Sequence, residues 1–238
     1  MPIEYNPEYI HHRNHKSLAS IRELVFGLED GMVSTLGAIT GIATATGSHF
    51  TVILAGLVII SVESISMSIG SYLSSKSARG IDERKLAEEK AELKKFPEEE
   101  KKELTDMYVM SGWPNDLAEK MAAVAAQNKK LFLQEMAYRE LGIVPEKLEN
   151  PLRNGLVMLV AYVIGGLIPV SAYFVLPLGA AILVSITITL LSLFLLGVYT
   201  TKFSKRNWFK AGFEMFALAG FAALVGYIVG QLVEKFLM

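Results

Sequence analysis

The sequence predicts an all-α membrane protein: five transmembrane helices, with a three-helix cytoplasmic domain inserted between the second and third spans. Three observations carry that prediction. Hydrophobic residues make up 52% of the 238 residues and the mean hydropathy is +0.37, too apolar for an ordinary soluble domain. Charge is segregated rather than scarce: the net value is only −1, yet residues 76–106 are dense in Glu and Lys while Gly155–Thr201 holds no Asp, Glu, Lys or Arg. Basic residues, finally, crowd into alternate loops, as the positive-inside rule requires of a multi-pass chain.

A bilayer core takes about 20 apolar residues in a helix. Five segments are long enough: Leu24–Ala45, Val52–Leu73, Gly155–Val175, Leu178–Tyr199 and Ala211–Val233. Pro169 falls inside the third and is expected to kink it by removing one helical hydrogen bond. Only Leu176-Pro177 separates the third span from the fourth, so these two form a hairpin. Arg13, Lys16 and Arg22 precede or open the first span, and the segment between spans two and three is rich in Lys. Lys202, Lys205, Arg206 and Lys210 lie between spans four and five, whereas Thr46–Thr51 and Leu176–Pro177 carry no basic residue. All basic loops fall on one side if the N-terminus is cytoplasmic and the C-terminus outside. The polar N-terminus lacks the apolar stretch and small-residue site of a cleaved signal peptide. The organisation expected is therefore a leader over 1–20, two spans within 21–75, a cytoplasmic helical domain over 76–150 and three spans within 151–238.

Gly27/Gly31, Gly37/Gly41 and Gly226/Gly230 repeat at the spacing that lets helices approach closely, either within one subunit or between two. The cytoplasmic insertion reads as a helix over Ser77–Lys95 broken by Phe96-Pro97, and a second over Glu98–Met110 with acids in its first turn. Gly112-Trp113-Pro114 stops that one. A third is expected from an N-cap at Asn115 to Leu141, with Gly142 ending it.

Chemistry is concentrated in two sets of acids. In the spans, Glu29-Asp30 interrupt the first apolar run, and Glu63 sits in the second with Met67 four residues on. A carboxylate near the middle of a span costs roughly 2.5–3.5 kcal/mol on insertion scales, so such residues mark a bound cation or proton. Asp30 lies eight residues from Arg22 and Met67 nine from Lys76. At about 1.5 Å per residue both are roughly 12–14 Å from the cytoplasmic end, at matching depth, with Glu63 one turn deeper on the face of Met67. No basic residue inside any span is available to pair with them. Glu29 points elsewhere on its helix, toward an aqueous vestibule.

In the insertion, Glu89/Glu92 and Glu100/Glu103 form two E-x-x-E pairs, each aiming two carboxylates from one helix face. Met136 and Glu140 share a face of the third helix, with Glu135 beside them. Hard oxygens plus a thioether suit a borderline divalent transition metal better than magnesium or calcium. A solvated helix surface is the commoner reason for such Glu and Lys mixtures. With no cysteine, neither a disulfide nor a thiolate metal site can form.

At these residues the chain resembles the vacuolar iron transporter family, membrane carriers of ferrous iron and manganese. Gly27-Leu28-Glu29-Asp30-Gly31-Met32-Val33-Ser34 is similar to the family's G-x-N-D-G-x-V-S signature, and Glu63-Ser64-Ile65-Ser66-Met67-Ser68-Ile69-Gly70 to its acid-x-x-[IL]-S-M-x-x-G pattern. The resemblance extends over nearly the whole chain. It implies five spans, a homodimer, and a cytoplasmic metal-binding domain whose ligands here are Glu89, Glu92, Glu100, Glu103, Met136 and Glu140. Three positions depart from the family pattern. Ser71 stands where Glu is frequent, Glu29 where Asn is usual, and Ala137 where some members have a second Met. The leader's His11-His12-Arg13-Asn14-His15 is similar to that of prokaryotic members, though a merely solvated tail is the commoner role for such His.

The function expected is a secondary transporter that exports Fe²⁺ or Mn²⁺ from the cytoplasm in exchange for protons, with Asp30, Glu63 and Met67 as the transport site. Zn²⁺ and Co²⁺ fit the same ligand chemistry. No catalytic residue, cofactor or nucleic-acid partner is expected; the partners are metal ions, protons and the bilayer of a prokaryotic cell membrane or a vacuolar-type membrane. The absence of G-x-x-x-x-G-K-[ST] argues against a P-loop pump. A membrane-bound di-iron oxidase would need E-x-x-H motifs on facing helices, and the four His, at 11, 12, 15 and 49, all lie outside the insertion. A passive divalent-cation channel would not need matched acids on two spans.

Overall fold

The structure, a computed structural model, describes residues 18–145 and 148–237. The leader's histidine-containing run lies outside the described residues. Eight helices and no strand are found among those described: α1 (Leu18–Thr46), α2 (His49–Lys95), α3 (Pro97–Met110), α4 (Asn115–Ala126), α5 (Lys129–Arg139), α6 (Pro151–Val175), α7 (Leu178–Ser204) and α8 (Trp208–Leu237). The chain divides into two compact units, Ser66–Leu156 and the described remainder. Four helices are long and apolar enough to cross a membrane: α2, α6, α7 and α8. With 29 residues α1 is also long enough, but Arg22, Glu23, Glu29 and Asp30 dilute its hydropathy.

In the first unit, α1 packs along α8 and α7, and α7 along α8. Small residues make this possible. A Cβ at Gly226 of α8 would overlap the Gly37 carbonyl of α1, and one at Gly31 would overlap the Tyr162 carbonyl of α6. The glycine stripes of α1 are thus used within the chain, Gly27/Gly31 toward α6 and Gly37/Gly41 toward α8. Around these contacts Ile39, Val52, Ile60, Val170 and Tyr173 form one apolar cluster, and Met32, Leu193, Leu196 and Ala219 another. The α6 helix runs on through Pro169, whose carbonyl accepts a 2.7 Å hydrogen bond from Ser185 of α7.

The second unit contains the C-terminal half of α2 with α3, α4, α5 and the start of α6. Two sequence expectations change here. The second span and the first helix of the insertion are one unbroken helix of 47 residues, because no breaker stands between Leu73 and Ser77. The expected third helix is two. Asn128 takes an extended conformation and its side chain accepts hydrogen bonds from the Lys130 and Leu131 amides, stopping α4 and capping α5. Gly142, at φ 66°, is left-handed beyond the end of α5, a backbone state that glycine adopts without strain. Leu104, Tyr108, Ala118, Ala122, Ala125, Phe132 and Met136 form this unit's core, with Leu93 of α2 packed against it. Asn154 of α6 is fully enclosed and donates to Ser75 of α2 at 2.9 Å, while Ser68 donates to the Gly155 carbonyl at 2.8 Å.

Candidate functional site

Acids gather at one place in each unit. In the second unit, Glu89 comes from α2, Glu100 from the first turn of α3, and Glu140 from the residue that closes α5. Each offers a carboxylate oxygen lying within 4.8 Å of the other two. Glu89 is 2% and Glu100 8% exposed, and one buried oxygen on each has no hydrogen-bond partner. Burial, a hydrogen bond shared with Glu140 and the charges of Glu140, Glu100 and Glu92 push the Glu89 carboxyl up to about 8. Burial and the charges of Glu103, Glu140, Glu92 and Glu99 push Glu100 up to about 7. At an effective dielectric of about 20, each pair of ionised groups this close repels by on the order of 3 kcal/mol. Such a cluster needs protons or a cation to relieve it.

The other sequence-derived ligands stand differently. Glu92 and Glu103 are exposed and outside the three-way group, though their charges are felt inside it. Desolvation and the charges of Glu140, Glu92 and Asp106 raise the Glu103 carboxyl. Met136 is fully buried in the apolar core beside Leu104 and Phe132. Glu135 is turned to other work: Tyr108 donates to it at 2.9 Å and Arg139 at 3.1 Å, the guanidinium lying 4.2 Å from the Tyr108 ring centre. That triad fastens α5 to α3, the two helices that deliver Glu140 and Glu100.

In the first unit, Asp30 of α1 and Glu63 of α2 are half-buried and within electrostatic reach of each other. Neither has an ion-pair partner among the described residues. Glu63 is held instead by hydroxyls. Ser34, one turn beyond Asp30, donates to its Oε2 at 3.1 Å, and the fully buried Tyr162 of α6 donates to the same oxygen. The two hydroxyls also lie 2.5 Å apart. Sequence reasoning missed both. Ser34 was within its reach, four residues after Asp30 on the same face, but nothing in α6 singled out Tyr162. Glu29 has Asp30 and Glu214 of α8 as its charged neighbours, so α8 supplies a further acid that sequence reasoning missed. Met67, one turn beyond Glu63 along α2, is half-buried and already falls in the second unit.

Four helices long and apolar enough to cross a bilayer define a multi-pass membrane protein, and it carries two groups of acids: a pair on α1 and α2 with no ion-pair partner among the described residues, and a cluster in the polar unit. The chain belongs to the VIT family, whose model matches residues 21–231. It is 31% identical over 236 residues to the vacuolar iron transporter of Toxoplasma gondii, covering 94% of this chain and 78% of that one. Vacuolar iron transporter 1 of Arabidopsis thaliana is 26% identical over 215 residues, covering 90% and 86%. The vacuolar iron transporter of Plasmodium falciparum is 26% identical over 236 residues, covering 94% and 86%. These relatives are named as transporters, not enzymes.

Proposed function

We propose that this chain is a secondary transporter moving a divalent transition metal, Fe²⁺ or Mn²⁺, out of the cytoplasm in exchange for protons. The observation that carries the reading is the pair Asp30 and Glu63, placed in apolar helices without a basic partner among the described residues. Two carboxylates in such surroundings are stable when neutralised, and either one divalent cation or protons will neutralise them. Alternation between those two states is exchange without ATP. Met67 adds a thioether, which favours a transition metal over calcium or magnesium. The relatives' names support iron as the cargo.

In this reading α1 is the fifth span, its acids being the reason it is less apolar than the others. The N-terminus and residues 76–150 face the cytoplasm and the C-terminus lies outside. Glu89, Glu100 and Glu140 capture metal there, with Glu92, Glu103 and the Met136 thioether as further ligands, and this domain collects ions for the membrane site. The subunits pair as homodimers. Because Gly27/Gly31 and Gly37/Gly41 are occupied within the chain, the dimer contact uses other helix faces. Light scattering corrected for detergent is expected to give twice the 26.2 kDa subunit.

The test is Fe²⁺ flux into liposomes carrying the purified protein. Asp30→Ala is expected to abolish flux while circular dichroism stays that of the native helical protein. Undiminished flux in that variant would remove the proposal.

A further inference from the structure

The corner between α7 and α8 has a composition that metal handling does not use. From Lys202 to Lys210 every residue is exposed, and the stretch holds Lys202, Lys205, Arg206 and Lys210 with no acid. Arg206 pairs with Glu214 at 2.9 Å. Among the described residues the three lysines have no carboxylate partner. Lys205 takes a left-handed conformation, φ 54°, as the C-cap of α7, so the chain turns sharply beneath these cations. Asn207 then caps α8, its side chain accepting from the Phe209 and Lys210 amides at 3.0 and 3.1 Å.

Aromatic rings adjoin the cations. Trp208, Phe209 and Phe213 are each more than half exposed. Phe209 and Phe213 stack at 6.3 Å, Trp208 meets Phe209 edge-on at 5.8 Å, and the Lys202 ammonium lies 5.2 Å from the Tyr199 ring centre. Both helices that leave this corner are long and apolar enough to cross a bilayer. A wall of rings continuing into apolar helix, topped by ammonium groups that no carboxylate among the described residues neutralises, matches a lipid in its two parts: acyl chain along the rings, phosphate at the lysines.

We propose that the α7–α8 corner is a binding site for an anionic phospholipid of the leaflet it faces, with Lys202, Lys205 and Lys210 holding the headgroup phosphate and Phe209 and Phe213 the upper acyl chain. The proposal rests on α7 and α8 crossing the membrane and is independent of the cargo. Charge complementarity selects the occupant. Zwitterionic lipid would leave net positive charge at the corner, whereas each lysine near an anionic surface strengthens attraction on the order of fivefold.

The test uses the two tryptophans of the chain. Trp113→Phe leaves Trp208 as sole reporter in the full-length protein, reconstituted in phosphatidylcholine vesicles with graded brominated phosphatidylglycerol or brominated phosphatidylcholine. Brominated phosphatidylglycerol is expected to quench Trp208 at several-fold lower mole fraction. Lys202, Lys205 and Lys210 changed together to Gln should lose that preference, and the same three changed to Arg should retain it. Millimolar inorganic phosphate should leave the quenching intact. Equal quenching by the two lipids would overturn the proposal, as would a preference that survives the Gln variant. Displacement by free phosphate would reassign the corner to a soluble anion. Protection of Trp208 from both lipids would show it covered by a second copy of the chain, which equally overturns it.

Discussion

Glu63 is the residue on which the proposed membrane site turns, because two hydroxyls from different helices converge on one of its oxygens. They hold the carboxylate in place and supply part of what water would otherwise provide. Hydrogen bonds between membrane helices average about 0.6 kcal/mol and reach about 1.7 kcal/mol. Tyr162→Phe is therefore expected to slow Fe²⁺ flux in liposomes about three- to twentyfold, without abolishing it as Asp30→Ala should. Asp30 and Glu63 were legible from sequence because an acid in an apolar run is costly and conspicuous. Tyr162 was not: a tyrosine in a span is unremarkable until its partner, 99 residues away, is known.

The acids of the second unit lead to a pH dependence that differs from the carboxylate range of about 4 to 5 expected from sequence. With Glu89 pushed up to about 8 and Glu100 to about 7, the cluster still carries protons near neutrality. Metal requires the ionised forms, so affinity is expected to decline as pH falls through about 8 and 7, well before ordinary carboxylates protonate. For the metal-free unit the sign reverses. Both groups are raised above the ordinary 4.5, so the folded state binds more protons than the unfolded one. Their contribution to stability is complete below about 4.5 and is lost as pH rises through about 7 to 8. Thermal melting followed by Trp113 fluorescence in a Trp208→Phe background should show that loss, and added Fe²⁺ or Zn²⁺ should reverse it. The E-x-x-E spacing exposed this cluster to sequence reading. Which member of each pair turns inward, Glu89 and Glu100 rather than Glu92 and Glu103, depends on how the helices rotate against their shared core.

Among the elements, α1 depends most on small residues. Alanine at Gly226 would gain roughly 1 kcal/mol of helix propensity. The overlap with the Gly37 carbonyl is expected to cost more, about 1–3 kcal/mol or above, since backbone cannot move aside as a side chain can. Gly220 lies on the same helix with nothing near its Cβ position. Gly226→Ala should therefore lower the melting temperature in detergent while Gly220→Ala leaves it unchanged or raises it. The glycine spacing was readable in the sequence, but not its direction, since a Gly-x-x-x-Gly stripe does not say which helix it faces. The break before Asn128 was missed for a related reason. Apolar residues continue on both sides of it, and a single Asn signals a cap only when its side chain is seen to accept the next amides.

At the scale of the whole molecule, an acid pair lies on the long helices α1 and α2 and an acid cluster in the polar unit, and in the proposed reading both take cations by the same electrostatics. The α2 helix belongs to both units without a break, which segment-by-segment reading divided in two because composition changes abruptly near Lys76. The α1 helix shows the opposite limit: the acids that interrupt its apolar run are what lower its apolar signal. The central claim is that the intramembrane acids exchange metal for protons. It is tested most directly by reconstituting the full-length protein in liposomes with a pH dye trapped inside and adding Fe²⁺ outside. The account predicts Fe²⁺ uptake with alkalinisation of the lumen as protons leave, both lost in Asp30→Ala. Fe²⁺ uptake with no change in lumenal pH would contradict it.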